Sequence, residues 1–134
     1  MCSERRPAPD PPANAAAIGL AGFLTVTGTT HFVVPRPYDA IVPRRLPGRR
    51  RAWTYVSGMA ELATAALVAV PRTRRVGGLV AAGLFDAVFP ANVKMAVDWA
   101  RQPRRSPLQR LVAWMRLPLQ VPLVIWAVRV WRTG

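Results

Sequence analysis

Cysteine is nearly missing from this 134-residue chain: Cys2 stands alone. That excludes an intramolecular disulfide and a dithiol redox couple, and it leaves no ligand set for an iron–sulfur cluster. Histidine also occurs once, at His31, so bis-histidine haem ligation is out of reach. Acids are scarce, six against nineteen bases, for a net charge of +13. No internal repeat is evident. The most informative absence is charge over long stretches. Pro11 to Pro35 holds no Asp, Glu, Lys or Arg. Ala52 to Pro71 holds only Glu61, Val76 to Val93 only Asp86, and Leu111 to Val128 only Arg116. Each block has about the ~20 residues needed to cross a bilayer as a helix.

A basic chain of this kind is either a nucleic-acid binder or a membrane protein with basic loops. The distribution of charge decides between them. The arginines punctuate apolar blocks and do not run along helical faces. The predicted fold is therefore all-α, a polytopic four-helix bundle in the cell membrane, with spans at about 14–34, 53–70, 76–96 and 111–131. Residues 1–13 read as a disordered tail before that domain. They are polar and proline-rich, unlike a signal peptide's charged start running into a short apolar core. Asn14 is the expected N-cap of the first span. Gly19, Ala21, Gly22 and Gly28 on that span allow close helix approach.

The first connector, Pro35 to Arg51, is read as a loop on the headgroups, with Tyr38, Trp53 and Tyr55 as interfacial residues. Its arginines hold the loop on one side, and they suit anionic lipid. Connectors one and three carry ten arginines against seven on the other side, which favours them as the cytoplasmic ones, while the arginine-dense turn at Arg72, Arg74 and Arg75 pulls the other way and leaves the orientation open. Lys94 and Asp98, four apart, are expected to pair at the end of the third span. The fourth span is interrupted by Arg116, Pro118, Gln120 and Pro122.

Six residues form the candidate pocket: His31, Glu61, Asp86, Asn92, Arg116 and Gln120. At ~1.5 Å rise per residue, Glu61 lies roughly 12 Å from the loop-one surface and Asp86 roughly 14 Å. The other four also fall in the same half of the membrane, under an apolar roof. Polar groups in hydrocarbon turn inward and find partners, so these six are expected to converge. Glu61 and Asp86 are expected to face each other. Pro90 strengthens the case for Asp86, because proline leaves the carbonyl four residues earlier, that of Asp86, without its donor. The plain alternative is interhelical hydrogen bonding that holds the bundle together. No metal is expected at a lone histidine near a helix end.

Ordered motifs carry a family likeness. They are Gly28-x-x-His31-Phe32-x-x-Pro35, Ile41-Val42-Pro43 with Leu46-Pro47, Ser57-Gly58-x-x-Glu61-Leu62, Pro71-x-Thr73-Arg74-Arg75, Phe89-Pro90-Ala91-Asn92-Val93-x-Met95-Ala96, and Arg116-Leu117-Pro118-Leu119-Gln120. In this set the chain resembles the DoxX family of small bacterial four-span membrane proteins. The resemblance implies a four-helix membrane bundle. Thiol-redox enzymes of related architecture need paired cysteines, which this chain lacks.

Three functional readings follow. The first is a binding or accessory subunit whose pocket takes a lipophilic molecule, quinone-like or a lipid, with membrane lipids and membrane redox subunits as partners. The second is a redox or proton-relay component using Glu61 and Asp86, which lacks any cofactor signature. The third, a soluble basic nucleic-acid binder, is opposed by the 25-residue charge-free run from Pro11 to Pro35.

Overall fold

The computed structural model describes residues 11–134. Most of the expected tail, and Cys2 with it, lies outside the described residues. The chain is all-helical: α1 (Pro11–Val33), the short α2 (Pro35–Asp39), α3 (Arg50–Ala69), α4 (Arg74–Arg101) and α5 (Pro107–Thr133). There is no strand among the described residues.

The helix limits differ from expectation where capping chemistry was missed. Among the described residues α1 runs from Pro11, so Asn14 already lies within the helix. Asn14 is therefore not a cap. Its side-chain oxygen accepts from Arg74 Nη1 at 3.2 Å. α5 starts at Pro107 behind a capping box. In it Gln109 N–H donates to Ser106 Oγ at 3.2 Å, and Ser106 N–H donates to Gln109 Oε1 at 3.1 Å. Pro118 and Pro122 sit inside this one continuous helix and do not divide it.

α1, α4 and α5, of 23, 28 and 27 residues, are long and apolar enough to cross a membrane. Their lengths of about 35–42 Å exceed a hydrocarbon core of ~30 Å. α3 has 20 residues but carries Arg50, Arg51, Ser57 and Glu61, and is not among those three. The apolar surface of the three points outward. Ile18, Val26, Leu79, Leu111, Val121 and Ile125 are each more than half exposed. A continuous apolar exterior of this extent is costly in water and matches lipid.

α1 packs chiefly on α3, and α4 on α5, while α3/α4 and α1/α5 contacts close the ring. Small residues set the approach. A Cβ on Gly78 would lie 2.5 Å from Trp131 N and 2.9 Å from the Ala127 carbonyl, so only glycine lets α4 and α5 meet there. The main core joins Ala17, Leu20, Ala21 and Leu24 of α1 to Ala65, Val68, Phe85 and Val130. The α1 residues follow the i, i+3, i+4, i+7 stripe of a helix face. This core fills the end away from the first connector. A smaller cluster, Met95, Ala96 and Ala113, sits toward the connector with Ile41 and Trp99 packed on it.

Arg74 closes the far end of the molecule. It is 3% exposed, donating through Nε to the Val68 carbonyl at 3.0 Å and through Nη2 to Ala69 at 3.3 Å. Those carbonyls end α3 and have no intrahelical donor. A cation there also suits the negative end of the helix dipole.

Candidate functional site at the connector end

Gly28 and Gly58 bring α1 and α3 together beside the histidine. A Cβ on Gly58 would sit 2.7 Å from His31 Cβ and 3.0 Å from the Gly28 carbonyl. That closeness puts His31 of α1 against Glu61 of α3, with Nε2 3.7 Å from Oε1. Thr27, one turn before His31, donates its hydroxyl to Glu61 Oε2. The side chains of His31 and Glu61 are 9% and 19% exposed.

The proton on the imidazole can be placed from its partners. His31 Nδ1 is 2.8 Å from the Thr27 carbonyl, which can only accept, so Nδ1 carries a proton. A neutral ring then turns an unprotonated Nε2 toward Glu61. Two acceptors facing each other are unfavourable. At 3.7 Å the two atoms are too far apart for a direct hydrogen bond. His31 Nε2 and Glu61 Oε1 thus have no hydrogen-bond partner among the described residues.

Tyr38 of α2 roofs the gap. Its ring stacks on His31 with centroids 3.8 Å apart and planes 22° from parallel. Its hydroxyl lies 2.6 Å from Thr30 Oγ1. Thr30's own proton goes to the Thr27 carbonyl at 2.6 Å, so Tyr38 is the donor. The connector is thus fastened to the helices. Tyr38 covers His31, and Tyr55 stacks on Phe32 at 5.2 Å. Asp39 accepts from Thr54 Oγ1 at 2.6 Å and Arg51 Nε at 2.8 Å. Burial pushes the Asp39 carboxyl up, but these two hydrogen bonds and the Arg51 charge outweigh it and hold it below the usual carboxylate range.

Of the six residues picked from sequence, His31 and Glu61 meet. Arg116 of α5 is exposed but near enough for its charge to act on Glu61. Gln120 is buried, and its amide donates to the Phe85 carbonyl of α4, one residue before the carbonyl that Pro90 leaves without a donor. Asn92 is buried on α4. Asp86 departs from expectation. It is exposed on α4, with no hydrogen bond or ion pair among the described residues, and it does not face Glu61. Equal depth was read as proximity, but depth leaves the azimuth of a helix open. α4 turns Phe85 into the core, and the next residue, about 100° further round, points out. Thr27, Thr30 and Tyr38 were missed as site residues. The i−4 spacing of Thr27 from His31 was the signal for one of them.

Two overlapping hollows, about 180 and 420 Å³, open at this end between the first connector and the last turns of α4. None of the six residues lines either. No group of three or more His, Cys, Asp or Glu that could hold a metal occurs among the described residues. A family model described as Domain of unknown function (DUF8561) matches residues 20–131. No curated protein and no solved structure matches the chain.

Proposed function

The chain belongs to the family described as Domain of unknown function (DUF8561), and from that premise we propose a multi-pass cell-membrane protein that binds a lipophilic small molecule at the His31–Glu61 gap. It acts as a binding or accessory subunit and is not itself assigned a catalytic step. Four spans are part of this proposal. α3 has a length of about 30 Å at ~1.5 Å per residue, enough to cross once α1 and α4 cover its polar face. The likeness to the DoxX family belongs to the proposal too.

One observation carries it. His31 and Glu61 stand 3.7 Å apart with Nδ1 already committed, leaving the Nε2 edge for a hydrogen-bonding guest. Tyr38 shields that edge from the connector side, and Arg116 supplies positive charge from α5. A carbonyl-bearing head, quinone-like in chemistry, fits such a site: it meets the Nε2 edge of His31 and lies against an aromatic plate. Binding sites commonly combine an apolar surround with a few convergent polar groups.

Native mass spectrometry of the mildly solubilised protein tests this. Wild type should retain a lipophilic small molecule, and Glu61→Gln or His31→Ala should reduce retention by about tenfold, the loss of one charge-assisted hydrogen bond. Equal retention in all three proteins, or none in wild type, overturns the reading.

A further inference from the structure

The two hollows behind the connector have the composition of a headgroup site, and we infer that they take the phosphate of an anionic lipid in the leaflet on the connector side. This rests on the membrane placement above but not on the His31–Glu61 gap.

The argument starts from charge. Arg44 and Arg50 of the connector line both hollows, with Arg105 beyond α4 in the more enclosed one and Arg101 in the wider one. The acid lining both is Asp98, and it is already bonded to Lys94. Each hollow is therefore lined by three guanidinium groups and Lys94 against the single carboxylate of Asp98. Like charges gather in this way when an anion offsets their repulsion, and guanidinium forks match phosphate oxygens.

The framework behind these arginines is fixed. Arg105 lies 4.2 Å over the Trp99 ring and donates to Gln102 Oε1 at 3.0 Å. Trp53 Nε1 donates to the Pro47 carbonyl at 2.7 Å, shaping the connector segment that carries Arg44 and Arg50. Ile41, Met95 and Trp99 also line the enclosed hollow and belong to the small apolar cluster. A basic rim beside an apolar wall suits an amphiphile better than a free ion. At about 180 Å³ the enclosed part falls below the ~300 Å³ of a site for a whole drug-sized molecule, which favours a headgroup fragment. The location agrees: the ends of α3, α4 and α5 nearest the connector are where the membrane-crossing segments meet the headgroups.

The full-length protein in mild detergent, offered phosphatidylglycerol and phosphatidylcholine with identical acyl chains, provides the test by native mass spectrometry. Wild type should hold phosphatidylglycerol at least tenfold more strongly. Arg44→Gln with Arg50→Gln should weaken it about thirtyfold, from the worth of two basic groups near an anionic surface. Arg72→Gln with Arg75→Gln, at the opposite end, should leave it unchanged. If the first double variant unfolds, Arg44→Gln alone should cost about fivefold. Equal retention of the two lipids, equal loss in both double variants, displacement by millimolar inorganic phosphate, or preferential capture of RNA would each overturn the inference. Carbonate extraction of the protein from membranes would instead sink the membrane placement itself.

Discussion

Gly58→Ala puts the α1/α3 contact to a quantitative test. The added methyl would lie 2.7 Å from His31 Cβ, 2.8 Å from Phe32 Cε2 and 3.0 Å from the Gly28 carbonyl. Carbon atoms rest at about 3.5–4.0 Å. Two of those three neighbours are backbone or the first side-chain carbon, so no rotamer change relieves them. Phe32 is held against Tyr55 as well. The helices must part by about 1 Å. Overpacking of this kind costs about 1–3 kcal/mol. Against it stands alanine's intrinsic advantage over glycine in a helix, up to about 1 kcal/mol. Gly22→Ala and Gly83→Ala isolate that advantage, because a Cβ at either position meets nothing within 4 Å. Thermal unfolding in detergent, followed by circular dichroism, should rank Gly58→Ala below those two by about 1–3 kcal/mol. The same parting widens the His31–Glu61 gap from 3.7 Å, so small-molecule retention should fall with stability. A Gly58→Ala protein as stable as Gly22→Ala would refute the close approach and the site geometry built on it.

Other expectations follow from single groups. Arg74→Met should lose about 1.5–3 kcal/mol of stability in denaturation, because the terminal α3 carbonyls lose a charged donor, and Arg74→Lys should not restore it, since one ammonium cannot reach Val68, Ala69 and Asn14 together. Asp86→Leu should be neutral or stabilising, by up to about 3 kcal/mol in insertion or unfolding assays, since an outward carboxylate near the middle of a span has nothing to lose; a destabilised variant would show that the acid has a partner. Asp39 is held below its ordinary value of 3.8, so its contribution to stability is complete above that pH and disappears as pH falls through the folded value. Hydrogen exchange over the connector should therefore hold steady down to about pH 4 and then loosen, and Asp39→Asn should flatten that acid limb.

The amino-acid sequence by itself determined that the chain is helical and where its apolar segments lie. Charge-free blocks of span length need only a count along the chain, because hydrocarbon excludes charge residue by residue. It also paired Lys94 with Asp98, since neighbours four apart on one helix need no tertiary information. What only the tertiary structure decided is which polar groups meet. Rotation of a helix about its axis is set by packing, here by Gly28 against Gly58 and Phe85 against the core, and that rotation sends Glu61 to His31 while turning Asp86 outward. The folding back of α2, which lays Tyr38 on His31, and the burial of Arg74 under the end of α3 likewise depend on contacts between segments far apart in the chain.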